Sequence, residues 1–172
     1  MKRIIAFALL WVMILGLVAC DTGRSDIIEP VEFFYRQVSA PDDLPESVIA
    51  SEIREATGHT GDLKYLLSLY LQGPLGETLS SPFPAGCRLL DVTWNGNTLV
   101  VILDSTITAL GQMDRTVACA CLARTCFSLT SLQQVQILAT GEDADNSLDM
   151  LITADSLLLT DTTATEAAEP VQ

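Results

Sequence analysis

Apolar positions recur along this chain with two periods, and the periods divide it into strands and helices. Residues 31–38 are aromatic-rich and partly alternating, which predicts a strand. Residues 40–45 hold Pro41 and Pro45 and are expected to form a loop. Residues 47–55 are open to a strand or a short helix, and a strand is expected. Residues 56–61, with Gly58 and Gly61, read as a turn. Leu63, Leu66, Leu67 and Tyr70 then fall at i, i+3, i+4 and i+7, one apolar helix face, so residues 62–72 are expected to be helical. Asp62 sits in the first turn, where the helix dipole favours an acid, and Gly73-Pro74 is the stop.

Beyond the long loop at residues 75–86, the strongest local signal is a hairpin. Residues 88–94 and 97–103 are β-rich runs on either side of Asn95-Gly96, a pair suited to a type I′ turn. Leu99-Val100-Val101-Ile102-Leu103 is apolar at every position, which predicts a strand covered on both faces. Residues 106–110 form a short helical piece, broken by Gly111. Asp114 is expected to cap a second helix that runs to about Thr130, with Ala118, Cys121, Leu122, Thr125 and Leu129 along one stripe. Residues 132–139 alternate as a strand with Val135, Ile137 and Ala139 on one side. Residues 141–146 are an acidic turn, and residues 148–153 form a last edge strand. The expected fold is α/β in the broad sense (α+β): a small mixed sheet with two main helices.

The ends of the chain break these periods. Residues 1–19 are a short basic head, Lys2-Arg3, and an apolar run ending in Leu17-Val18-Ala19, with Cys20 next. That pattern describes a secretory signal, and the cysteine after the cut makes it a bacterial lipobox. A membrane-spanning anchor is the first alternative, but the run from 4 to 19 is shorter than the roughly 20 residues a span needs. A signal cleaved to release a soluble protein, with Cys20 incidental, is the second. On the lipoprotein reading Cys20 carries the lipid, and two acyl chains give the stable anchoring that one does not. The protein is then expected on the bacterial cell membrane, facing the extracytoplasmic side. Residues 20–29 are a polar tether, residues 30–153 one domain, and residues 160–172 a disordered acidic tail without core formers.

Charge and cysteines narrow the chemistry. Without residues 1–19 the chain holds seven basic and 22 acidic side chains. Such a surface repels phosphate backbones, which excludes nucleic-acid partners, and it repels anionic headgroups, so the lipid must do the anchoring. Cys87, Cys119, Cys121 and Cys126 remain. On a helix Cys119 and Cys121 point about 200° apart, and Cys119 and Cys126 sit about 10 Å apart along the axis. That suits neither one metal ion nor a disulfide among them. Packing cysteines are expected, with a disulfide from Cys87 to one helix cysteine, or metal or redox chemistry, as alternatives.

The order of several pieces carries a family resemblance. They are Leu69-Tyr70-Leu71-Gln72-Gly73-Pro74, Leu79-Ser80-Ser81-Pro82-Phe83-Pro84-Ala85-Gly86 and Leu89-Leu90-Asp91-Val92. Leu99-Val100-Val101-Ile102-Leu103-Asp104-Ser105 and Leu132-Gln133-Gln134-Val135-Gln136-Ile137 follow. Over residues 63–138 the chain resembles the GerMN domain of sporulation and germination lipoproteins, with the strand near Val31 as an extension. The resemblance implies a small α/β module of the ring-building type, membership of envelope assemblies, and no chemistry of its own. The cluster of Cys119, Cys121 and Cys126 departs from the family pattern.

No catalytic or metal-binding constellation accompanies it. His59, the one histidine, lies among turn residues and reads as a solvated loop side chain. Asp104-Ser105 suits a helix N-cap. Gly58, Gly61 and Gly73 have no phosphate-loop spacing, and Trp94 beside the hairpin turn reads as packing. No catalytic residue and no cofactor are expected. Three function classes follow: a non-catalytic envelope module that binds other envelope proteins or assembles with itself, a lipoprotein that binds a cell-wall fragment or small solute, and a thiol or metal-dependent enzyme. The first is expected.

Overall fold

The computed structural model describes residues 30–38, 48–56, 58–140 and 147–158. The signal, Cys20, the tether, the turn at 141–146 and the tail at 160–172 lie outside these. The elements run β1 (Pro30–Gln37), β2 (Ile49–Glu55), α1 (Leu63–Tyr70), β3 (Leu79–Ser80), β4 (Leu89–Asn95) and β5 (Thr98–Leu103). A 3-10 turn (Ser105–Ala109), α2 (Gln112–Leu129), β6 (Gln134–Ala139), β7 (Leu148–Thr153) and α3 (Ala154–Leu158) complete the order. The α+β class is as the two periods indicate. The strands form two sheets: an antiparallel β2-β1-β3, and a mixed β4-β5-β6-β7 in which β5 and β6 are parallel. A parallel pair needs a long crossover, and the 3-10 turn with α2 supplies it.

Alternation explains which face of the mixed sheet is covered. Leu99 pairs with Val135, Val101 with Ile137 and Leu103 with Ala139, and all six are buried. They join one core with Phe33 and Tyr35 of β1, Leu66, Leu67 and Tyr70 of α1, and Leu122 and Cys126 of α2. Tyr70 stacks on Tyr35 at 4.9 Å and meets Phe83 edge-on at 5.8 Å, a geometry that suits aromatic quadrupoles. On the opposite face Val100 is buried, but Ile102 is only half-buried, so the expected double covering of β5 is partial.

β1 pairs with β2 along its full length, but with β3 only at Arg36 and Gln37. Helix side chains meet the rest of its free edge. The Phe34 amide donates to Thr125 Oγ1 at 2.9 Å, Tyr70 OH donates to the Phe34 carbonyl at 2.9 Å, and Ser128 Oγ donates to the Glu32 carbonyl at 2.7 Å. The helix therefore lies beside β1 as well as on the mixed sheet, and it buries more than one stripe. Of the expected stripe, Ala118, Cys121, Leu122 and Thr125 are buried and Leu129 is half-buried, and Cys119, Ala123 and Cys126 join the buried set.

Local signals were displaced in three places. Asp114 is not the cap of α2. The helix begins at Gln112 behind Gly111 without a side-chain cap bond, and Asp114 lies in its first turn, paired with Arg36 at 2.9 Å. The hairpin register pairs Asn95 with Thr98, so Gly96-Asn97 forms the turn rather than Asn95-Gly96. Only Gly96 has positive φ (+60°), which fits a type II′ turn and not the expected type I′. Trp94 does not pack: it faces the covered side of the sheet, but its strand is at the edge and its side chain is 58% exposed. Elsewhere the caps are Asp62, accepting from the Tyr65 amide, and Asp104, accepting from the Thr106 amide.

Replacing Thr125 by Val keeps the shape but leaves the Phe34 amide without its acceptor. Urea unfolding is expected to show a loss of about 1–3 kcal/mol, against under about 1 kcal/mol for Ser128→Ala at its exposed site. Equal losses would mean that the helix does not complete the strand edge.

Candidate functional site

The thiols come first, because they are the residues most capable of chemistry. Cys119, Cys121 and Cys126 lie on α2, Cys87 lies just ahead of β4, and all four are buried free thiols. Burial pushes Cys126 up to about 12, since a thiolate in an apolar surround loses its hydration. Cys121 rises to about 12 and Cys119 to about 11 for the same reason, with nearby arginines opposing the rise. Cys87 rises to about 12 through burial and through the negative charge of Asp104. A reactive cysteine needs the opposite shift and some exposure. These thiols are protonated at neutral pH and act as small apolar side chains. Among the described residues no three His, Cys, Asp or Glu side chains converge as metal ligands do.

The other predicted residues are scattered. His59 is exposed on its turn and stacks on Tyr65 at 4.0 Å, far in sequence from any thiol. Asp104 spends its carboxylate on the Thr106 amide and on Arg88 Nε at 3.3 Å. Burial would raise its carboxyl, but those hydrogen bonds hold it below its usual value. Two open depressions of about 540 and 300 Å³ lie on the surface, one beside Glu32, Thr60 and Ser128 and one beside Ser68, Gln72 and Arg88.

Sequence reasoning missed the buried cation Arg54 and its half-buried partner Glu52. Arg54 and Glu52 sit on the core side of β2, opposite Val31 and Phe33. Arg54 Nε contacts Glu52 Oε1 at 2.5 Å, and its Nη2 donates to the Gly73 carbonyl. Its guanidinium lies 5.4 Å from the Phe33 ring centre and 5.7 Å from that of Tyr35. Glu52 Oε2 accepts from the Leu75 and Gly76 amides at 2.9 and 2.8 Å. The pair clamps the segment after α1 to β2. Burial pushes the Glu52 carboxyl up, but Arg54 and the two amides outweigh it and hold the carboxyl below its usual value. The available signal was opposite charges at i and i+2 of a strand, which share one face.

The sheet edges carry exposed apolar side chains. Leu90 and Trp94 are exposed on the edge strand β4 and Leu151 on the edge strand β7. The molecule is thus a small α+β module with sealed thiols and an open sheet. The chain belongs to the Germane family, described as sporulation and spore germination, whose model matches residues 32–145. The match reaches back to include β1 and β2, beyond the stretch that the sequence motifs mark. No curated protein matches the chain. A crystal structure of a "Putative Lipoprotein" from Clostridium perfringens is similar at 18% identity and a TM-score of 0.43, covering 76% of this chain and 92% of that one. An overlap of that size fixes neither fold nor role. Among the described residues no helix is long and apolar enough to cross a membrane.

Two outcomes follow. A thiol reagent at pH 7.5 is expected to leave Cys87, Cys119, Cys121 and Cys126 unmodified in the folded chain and to modify all four in guanidinium; rapid native labelling of one would identify a reactive site. Glu52, with its folded pKa lowered, contributes stability that is fully present above the unfolded value of about 4.3 and is lost as pH falls through the lower folded value. Glu52→Gln is expected to cost about 3 kcal/mol at pH 7, by leaving Arg54 buried without its counter-charge, and to cost less below pH 4. A gap that does not change with pH would refute the clamp.

Proposed function

We propose that this protein is a lipid-anchored module of the cell envelope, held outside the membrane through Cys20, that works in a sporulation or germination assembly by binding other proteins. It performs no catalysis. The observation that carries this reading is the contrast between chemistry and surface. All four described thiols are buried and protonated, while apolar side chains are exposed at both edges of an open sheet. Unpaired strand edges accept a further strand, and an uncovered sheet face accepts a second protein. Family membership supplies the setting, and the lipobox of residues 17–20 supplies the anchor.

Binding of a small solute has less support. The depressions are open, and the polar groups beside them do not converge as a ligand pocket needs.

Changing Cys20 to Ser is expected to move the protein from the pelleted membrane to the soluble fraction, whereas the parent chain pellets and takes up labelled fatty acid. A variant that still pellets after a salt wash would remove the lipid anchor from this reading.

A further inference from the structure

The face of the mixed sheet opposite Leu99, Val101, Val135 and Ile137 carries an apolar strip between two carboxylates, and the inference drawn from it rests on the protein-contact reading above. Register places Asp91, Ile102, Leu138 and Asp149 in one row across β4, β5, β6 and β7. The next row holds Thr93, Val100, Gln136 and Leu151. Val100, Ile102, Leu138 and Leu151 therefore lie side by side as an apolar strip over three adjacent strands, Val100 buried, Ile102 and Leu138 half-buried and Leu151 58% exposed. Asp91 and Asp149 close the first row at its two ends, three strand spacings or about 14 Å apart. None of the four strands carries a Lys or Arg.

The two carboxylates are available. Asp149 accepts only from Gln136 Nε2, at 2.8 Å, among the described residues. Asp91 meets Lys64 at 3.3 Å with both side chains about half exposed, a kind of pair that contributes little and that an incoming cation can replace.

We propose that this face docks a separate protein whose contact surface has an aliphatic centre and Lys or Arg at its margins. A second copy does not fit. Face to face, it would set carboxylate against carboxylate, and none of the four strands brings a cation to that face. The formal charge of −13 adds repulsion between copies, and it opposes anionic lipid as well.

The test places a photo-crosslinking residue at Leu151 in the full lipid-bearing chain in its native envelope. Controls carry the probe at Thr116, exposed on α2, and at Trp94. The expected result is an adduct from Leu151, and not from Thr116, with a different and basic polypeptide. Its yield is expected to fall about tenfold with Asp149→Lys, and about threefold with Asp149→Asn, which keeps a side chain able to bond Gln136. It should also fall in about 0.5 M salt. An adduct with a second copy, or one indifferent to both Asp149 variants, overturns the proposal. Capture at Trp94 but not at Leu151 overturns this face and leaves the protein-contact reading standing. No adduct at any of the three positions removes both.

Discussion

A strand whose second edge meets a partner strand over only two residues must have its other amides and carbonyls met in some other way, and β1 solves that problem with helices. Thr125 and Ser128 of α2 and Tyr70 of α1 take the places that a neighbouring strand would fill beside Glu32 and Phe34. Unpaired backbone groups in a partly buried strand cost free energy, so these bonds set where α2 must lie. Much of the rest follows from that position. The helix is pinned against β1 on one side and packs on the mixed sheet on the other, which is why it can bury small residues on more than one stripe.

The buried thiols are a consequence of the same placement. A helix enclosed from two directions needs small apolar side chains at close approach, and cysteine serves as one. Burial then raises the thiol pKa, so the cluster that looks most like chemistry in the sequence is the part of the molecule farthest from it. The charges that are buried, Arg54 and Glu52, are spent on each other, on two aromatic rings and on the segment that follows α1. The chain as a whole is acidic, with a formal charge of −13. The structure thus keeps the thiols of the described residues out of reach of solvent.

Much of the fold was legible in the chain. Runs of β-formers, a hairpin signal and helical spacing located six of the seven strands and the two main helices, because these are properties of short stretches of sequence. β3 was missed inside an expected loop, since a pair of residues has no measurable period. The division into two sheets was also illegible: alternation says which side of a strand is apolar, not which strand it lies beside. Errors in the caps and the turn have one cause. Asn95-Gly96 and Gly96-Asn97 are adjacent choices, and the pairing of β4 with β5 selected the second. Asp114 likewise had two uses, and the presence of Arg36 across space gave it the ionic one.

For the candidate site the balance is different. The chain alone carried the motif at residues 17–20 from which the anchor is proposed, the acidic balance, the two periods and the order of motifs that marks the family, because each is a property of neighbours in sequence. Only the tertiary structure decided that four cysteines are sealed, that Arg54 and Glu52 form a buried clamp, that Trp94 stands in the open, and that Asp91 and Asp149 flank an apolar strip. Each of these depends on residues that are distant in sequence and brought together by strand register and helix packing. Burial and electrostatics act through space, so their outcome is written in the packing and not in the order of residues.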